Sequence, residues 1–574
     1  MRLRRFLSLL VLTVSTSSLW IPAAQVRPTA PVIRLPVNQA TNVSPDTHLV
    51  LTFPQPPTVG KMGEIRVYDL AGGALVDRLD LSIPPGPAGR PARGAAPPGT
   101  PTPAYQKAVI GGFTEGFHFY PIIVHDRTAT IALHPGVLKY GHGYYVEIDS
   151  TVLSTEGFTG FSGPRGWTFR TRSAPPPSNT TRIVVAADGS GDFVTVQGAV
   201  DFVPNVPRQR VTIFIRPGRY EEIVYFRNKH DITFLGEDRD TVVIGYANNE
   251  NFNGPPTGVG TNELAGTFPY RRASFMADAS TGIHLVNLTL HNFTPQGGSQ
   301  AEALLLMGGR NIVSQVTALS YQDTVQFNDS VYVVDSLIEG ETDFLWGRGP
   351  AFFERTTLRE VSNSPYMWVR STSASHGFVF VGSRFETPGS TGAGPFLARN
   401  TAQYPDSEIV LIDSSLGRIN PAAWSLPENP GRIRYWESGS TDLMTGRPAD
   451  TSGRHTASRQ LDRDASVISP YRDPAFVLGG WVPEMAPIIL ASPKSATATV
   501  GSPVTLAVAV AAIPDVTIEW RRDGKVIADD GRVTGARTRE LTISGFARAD
   551  AGRYTVLATN IAGRAESAAA VTAR

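Results

Sequence analysis

Three short apolar runs, Val286-Asn-Leu-Thr-Leu290, Val313-Ser-Gln-Val-Thr317 and Val334-Asp-Ser-Leu-Ile338, begin 27 and then 21 residues apart. A loose period in the twenties marks a stack of similar coils, each burying its apolar residues against the next. Further runs belong to the same series: Val211-Thr-Ile-Phe-Ile215, Ile232-Thr-Phe-Leu235, Phe378-Val-Phe-Val381 and Ile409-Val-Leu-Ile412. None keeps apolar residues at i, i+3 and i+4, so helical readings fail. Propeller blades want about 40 to 50 residues per unit, longer than this spacing. The expectation is a right-handed parallel β-helix over residues 182–484, within an all-β chain.

Outside this region the pattern changes. Residues 30–172 carry short alternating strands, such as Leu49-Val-Leu-Thr-Phe53 and Tyr144-Tyr-Val-Glu-Ile148, divided by Pro, Gly, Asn and Asp turns. That predicts a β-sandwich. Its ending, Gly166-Trp-Thr-Phe-Arg170, resembles bacterial Ig-like domains, and Pro84 to Pro103 reads as a loop. Ser173-Ala-Pro-Pro-Pro-Ser178, within 173–181, reads as a stiff linker. Residues 487–574 resemble an immunoglobulin domain of the intermediate type. Trp520 stands as its core tryptophan, and Asp550-Ala-Gly-Arg-Tyr554 as its tyrosine corner. Val508 and Val556 replace the usual cysteines. The expected whole is therefore a β-helix flanked by two β-sandwich (Ig-like) domains.

Composition narrows the function. The 574 residues carry 52 Lys+Arg against 51 Asp+Glu, which gives nucleic acid no basic footprint. There is no cysteine, which excludes disulfides, thiolate metal sites and cysteine nucleophiles. Arg2, Arg4 and Arg5 before the apolar run Phe6 to Leu19, with Ala23-Ala24 beyond, form the three-part pattern of a cleaved signal peptide over residues 1–24. A secreted or periplasmic protein without a membrane span is expected.

Asp323 and Asp343 lie 20 residues apart, close to one coil. On successive coils they would project from one face about 4.8 Å apart. Two carboxylates that close titrate apart, one holding a proton while the other is ionised. Gln300 lies 23 residues before Asp323, and Gln322 adjoins it. Side-chain amides aimed at one point donate to an oxyanion without adding charge. Arg399, at a later junction between coils, would hold a carboxylate ionised and oriented. Tyr321, Phe344 and Trp346 supply aromatic faces for a sugar ring. Taken singly, each has a plainer reading as a turn cap, a core aromatic or a surface polar residue.

The motifs in order are Gly218-Arg-Tyr-Glu-Glu222, Gln300-Ala-Glu-Ala-Leu304, Gln322-Asp-Thr324, Asp343-Phe-Leu-Trp-Gly347 and Leu397-Ala-Arg399. With the opening Val185-Ala-Ala-Asp-Gly-Ser-Gly-Asp-Phe193, they resemble the pectin methylesterases of carbohydrate esterase family 8. The resemblance implies hydrolysis of galacturonate methyl esters in pectin to pectate and methanol. It implies Asp343 as nucleophile, Asp323 as general acid and base, Gln300 and Gln322 as oxyanion donors, and Arg399 as the residue orienting the nucleophile. It implies no cofactor and no metal, and pectin as the partner.

Two departures touch the sugar subsites. The family's Leu-Gly-Arg-Pro-Trp is Leu397-Ala-Arg-Asn-Thr401 here, which leaves Trp424 as a substitute for the missing tryptophan. Met367-Trp-Val-Arg370 places a cation where the family has Gln. Arg370, together with Arg348, Arg355 and Arg399, would form a local basic strip that meets the carboxylates of the product. The alternative is a catalytically silent β-helix that binds polysaccharide or serves adhesion, with the Ig-like domains attaching to carbohydrate or a cell surface. A serine esterase is excluded because no Gly-x-Ser-x-Gly elbow occurs.

Overall fold

The computed structural model describes residues 32–89, 104–254, 271–387, 389 and 392–574. The expected signal peptide lies outside the described residues, as does the part of the Pro84–Pro103 segment from residue 90 onward. The central region is a parallel β-helix. Three sheets of 11, 9 and 8 strands each add one strand per coil, in sequence order. Each complete coil visits the first sheet, then the second, then the third. A typical coil is Val331–Val334, Leu337–Gly340 and Leu345–Gly347.

The apolar runs form the first sheet, but in a register one residue away from the alignment made above. Val286 pairs with Ser314, and Ser314 with Val334, while Val313 pairs with Leu285 and Val333. Successive side chains in a strand point to opposite faces, so a one-residue slip exchanges core and exterior. Here Leu285, Val313 and Val333 face the interior core, whereas Val286 and Val334 face outward into a second apolar layer. Much of the outer face is as apolar as the inner one, so the sequence carries only a weak alternation, as at Ser314, to fix the register.

The corner after the first sheet is what keeps the coils in step. Asn287, Gln315, Asp335, Arg355 and Asp413 occupy it in different coils, with φ of 57°, 55°, 49°, 47° and 48°. Each donates its backbone N–H to a carbonyl of the following coil, as Asp335 does to Glu354 at 3.2 Å. A left-handed residue turns the chain sharply there, and Asn and Asp tolerate that conformation best. The N-terminal end of the interior core is covered by a helix, Val196–Phe202, capped by the Thr195 hydroxyl accepting from the Gly198 N–H at 2.9 Å.

The N-terminal sandwich has sheets of four and five strands, with Leu49, Leu51, Val67 and Val146 turned inward. Trp167 is fully buried and donates to the Pro36 carbonyl at 2.8 Å. The Pro-rich linker does not hold this domain away from the β-helix. Phe117 of the sandwich packs against Tyr225, an outward residue of the third sheet, at 5.4 Å between ring centroids. Tyr120 stacks on Phe252 at 4.8 Å, and Arg271 donates to the Gly116 carbonyl at 2.9 Å. One apolar cluster runs from Leu49 and Phe117 through Tyr225, Met276 and Leu305 to Trp346.

In the C-terminal domain Trp520 is fully buried and cross-strand to Val556, and Val508 lies in the same core. The Tyr554 hydroxyl donates to the Asp550 carbonyl at 2.6 Å, closing the corner that its sequence implied. Met485, Ala511 and Ile513 share a cluster with Val286, Tyr332 and Phe352 of the first sheet, so this domain too is packed against the β-helix.

Candidate active site

The corner that leads from the second sheet into the third carries the candidate catalytic residues. Asp323 and Asp343 both sit there, with φ of 65° and 51°, each just before a strand of the third sheet, Val325–Phe327 or Leu345–Gly347. The Asp323 N–H donates to the Thr342 carbonyl at 3.2 Å, which joins the two corners across adjacent coils. Gly340 allows this close packing: a side chain there would come within 2.7 Å of the Tyr321 carbonyl. The preceding coil brings in Gln300, because the Ala301 N–H donates to the Gln322 carbonyl at 3.1 Å. The Gln300 side-chain carbonyl accepts from the Ser299 hydroxyl at 2.9 Å. That orientation leaves the Gln300 NH2 as the donor end. Gln322 and Tyr321 are half-buried in the same turn.

Each aspartate has its own guanidinium. Arg399 holds Asp343 with Nε at 2.8 Å from Oδ1 and 2.9 Å from Oδ2, and its Nη2 also reaches Oδ2. Arg272 donates from Nη2 to Asp323 Oδ2 at 2.9 Å. The same Arg272 grips Glu302 through Nε and Nη2, at 2.7 to 3.0 Å, and Glu250 through Nη1 at 2.9 Å. Neither Arg272 nor Glu302 was anticipated from the sequence, although Glu302 lies inside the Gln300–Leu304 motif. A charged residue between two alanines that precede an apolar strand was the available signal.

Burial raises both aspartates above the ordinary carboxylate range. For Asp323 the rise is large: desolvation leads, Arg272 and Arg370 oppose it, and Glu302 and Asp343 add to it. For Asp343 desolvation is opposed by the Arg399 hydrogen bonds and charge, and by Arg370. Among the described residues, the carboxylates of Glu250, Glu302, Asp323 and Asp343 meet the guanidiniums of Arg272, Arg370 and Arg399 in this network. Four anions against three cations leave room for one proton, and burial lifts Asp323 well above the ordinary carboxylate range, Glu302 also being raised. Asp343 is raised as well, but the fork of Arg399 favours its ionised form.

Of the three expected sugar-binding aromatics, Phe344 and Trp346 are corrected, while Tyr321 stays half-exposed beside Asp323. Phe344 is fully buried inside the helix, 5.3 Å from the Tyr366 ring, so it offers no face to a ligand. Trp346 does point outward, but it is 3% exposed, with the Arg370 guanidinium 4.6 Å and that of Arg272 5.5 Å from its ring centroid. It is a platform for arginines. Trp424 cannot replace the missing tryptophan, because it faces the interior, 1% exposed, against Tyr435. The aromatic ring beside the site is Trp368, missed in the sequence. Arg370 and Arg399 each lie 3.8 Å from its centroid. Strand alternation points to it, since Met367 and Val369 on either side face the interior core.

The four-arginine strip does not form. Arg355 stands at the first corner, paired with Asp335 and Glu354. Arg348 lies half-buried in the turn after Leu345–Gly347. Of these four, Arg370 and Arg399 adjoin the aspartates, and Arg370 is 8% exposed.

A family profile described as Pectinesterase matches residues 182–424, and one described as Immunoglobulin I-set domain matches residues 487–573. The chain is 31% identical over 309 residues to Pectinesterase QRT1 of Arabidopsis thaliana, covering 52% of this chain and 77% of that protein. It is 30% identical over 275 residues to a pectinesterase of Ralstonia solanacearum, covering 41% and 69% respectively. Among solved structures, a pectin methylesterase from carrot aligns at 23% identity with a TM-score of 0.43, over 52% of this chain and 93% of that one.

Proposed function

We propose the following mechanism for this chain, which belongs to the pectinesterase family and hydrolyses the methyl esters of pectin. An Asp343 oxygen attacks the ester carbonyl carbon of a galacturonate unit. The Gln300 and Gln322 amides donate to the oxyanion of the tetrahedral intermediate, and Arg399 keeps the attacking carboxylate ionised and aimed. The C–OCH3 bond breaks as Asp323 gives its proton to the leaving oxygen, and methanol departs. An anhydride between Asp343 and the sugar carboxyl remains. Asp323, now a carboxylate, takes a proton from water as that water attacks the anhydride, which frees the galacturonate acid and restores Asp343.

The observation that carries this reading is the pairing of the two aspartates. They stand at equivalent corners of adjacent coils, both buried, each with its own guanidinium, and burial lifts Asp323 further above the ordinary carboxylate range than Asp343. Trp368 supplies the ring against which a sugar packs. Arg370 meets the carboxylates of partly de-esterified chains through its charge. Among the described residues no helix is long and apolar enough to cross a membrane. Export is supported by the Arg-led apolar run at residues 2–19. Attachment to carbohydrate or a cell surface is the reading for the I-set domain. The decisive experiment measures methanol released from highly methylated pectin by the mature chain between about pH 4 and 9. Release is expected, and a folded protein that releases none overturns the reading in favour of a silent binder.

A further inference from the structure

The Arg272–Glu302 pair is buried, bidentate and in direct contact with Asp323, yet the mechanism above gives it no step. Side-chain exposure is 5% for Arg272, none for Glu302 and 12% for Asp323. Burying an ion pair costs several kcal/mol per ion, and good geometry only offsets that cost, so such a pair is weak evidence of stabilisation. The segment is also pinned from outside. Arg271 donates to Gly116 of the sandwich at 2.9 Å and to Gly254 at 2.7 Å, which fixes the backbone from which Arg272 reaches inward.

We propose that Arg272 and Glu302 are positioning residues for the catalytic acid: Arg272 determines which oxygen of Asp323 carries the proton, and Glu302 sets how firmly the proton is held. The inference rests on the functional reading above. Arg272 Nη2 donates to Oδ2, and an oxygen accepting from a guanidinium is the poorer seat for a proton. The proton therefore sits on Oδ1, the one oxygen of the carboxyl that Arg272 does not hold. When Asp323 has delivered it, the same Arg272 stabilises the carboxylate that must next act as base. Arg272 alone would make Asp323 too strong an acid to stay protonated. Glu302, gripping the same guanidinium through both oxygens, offsets much of that charge. The other charged groups facing Asp323 are Asp343, which pushes its pKa up, and Arg370, which pulls it down. Glu250 acts through Arg272, and Arg399 through Asp343.

The signs are opposite and so testable. Removing the negative charge of Glu302 lowers the pKa of Asp323, and removing the positive charge of Arg272 raises it. The alkaline limb of kcat/KM for methanol release reports that pKa in the free enzyme. In the full mature chain, Glu302→Gln should move the limb down by about one pH unit, and Arg272→Gln up by about as much, the scale expected for a charge within 4–6 Å. Opposite shifts support the proposal. Limbs that coincide with the wild type, move in one direction, or stay fixed while only the rate falls overturn it, because a purely structural pair would lower the rate without moving the limb. If Arg272→Gln fails to fold, Glu302→Gln decides alone, by a downward shift or none. An inactive wild type sinks the functional reading itself, whereas an active wild type with unmoved limbs sinks only this inference.

Discussion

Two corners of the same coil use one backbone device for different ends. At the corner after the first sheet, Asp335 and Arg355 stand in adjacent coils with φ near 50° and pair with each other, Nε to Oδ1 at 2.8 Å. At the corner before the third sheet, Asp343 has the same conformation and is also held by an arginine at 2.8 Å. The backbone and the contact are nearly identical. What differs is water: the Asp335 and Arg355 side chains are 43% and 45% exposed, while that of Asp343 is 4% exposed. In water an ion pair gains little, because solvent already serves both charges. Out of water, such a pair shifts the carboxylate's pKa and, on the proposed mechanism, holds the nucleophile in place. The left-handed corner supplies a direction for the side chain, and burial turns that direction into reactivity.

Making one edit at both corners tests this view most sharply. Asp343→Asn keeps shape but cannot form the anhydride, and should cost several orders of magnitude in turnover, as loss of a nucleophile does elsewhere. Asp335→Asn at the outer corner should leave methanol release unchanged, and equal losses in the two variants would erase the distinction. Next in size, Gln300→Ala should lower kcat by about 10²–10³-fold, the usual cost of an oxyanion donor. A change confined to KM would make it a binding residue. Smaller again, Arg370→Gln should weaken binding of partly de-esterified pectin by a few-fold more than that of fully methylated pectin. The gap should narrow as salt screens the charge, and equal effects at low salt would show that Arg370 does not read free carboxylates. Least of all, Asp335→Asn, which keeps a residue suited to the left-handed corner and removes only the charge, should change unfolding free energy by less than about 1 kcal/mol in a denaturant titration. A larger loss would mean that the outer pair, too, is a structural necessity.

The coil architecture was legible because a period in the twenties survives in the apolar runs, and the site motifs because they fall at one coil spacing. The register was not, since Val286 and Val334 face an outer apolar layer and Ser314 was the one polar mark of the exterior among the three aligned runs. Phe344 and Trp346 were misread for a related reason. Adjacent residues in a strand point oppositely, but whether the outward one is open depends on what lies over it, here the guanidiniums of Arg370 and Arg272. Arg272 escaped notice because its partners come from three other segments, around Glu250, Glu302 and Asp323, and no spacing within one motif announces such a convergence. Trp368 was readable from Met367-Trp-Val369 once the strand was placed.

The apolar cluster that runs from Phe117 of the sandwich through Tyr225 to Trp346 has a thermodynamic consequence. Bodies that share a core cannot melt independently, because opening either one strips apolar surface from the other. The sandwich and the β-helix are therefore expected to melt as one cooperative unit in a calorimetric trace, despite the Pro-rich segment between them. A protease cutting within residues 173–181 would leave the two halves associated, and heat sufficient to loosen the sandwich would loosen the floor beneath Arg272 in the same event.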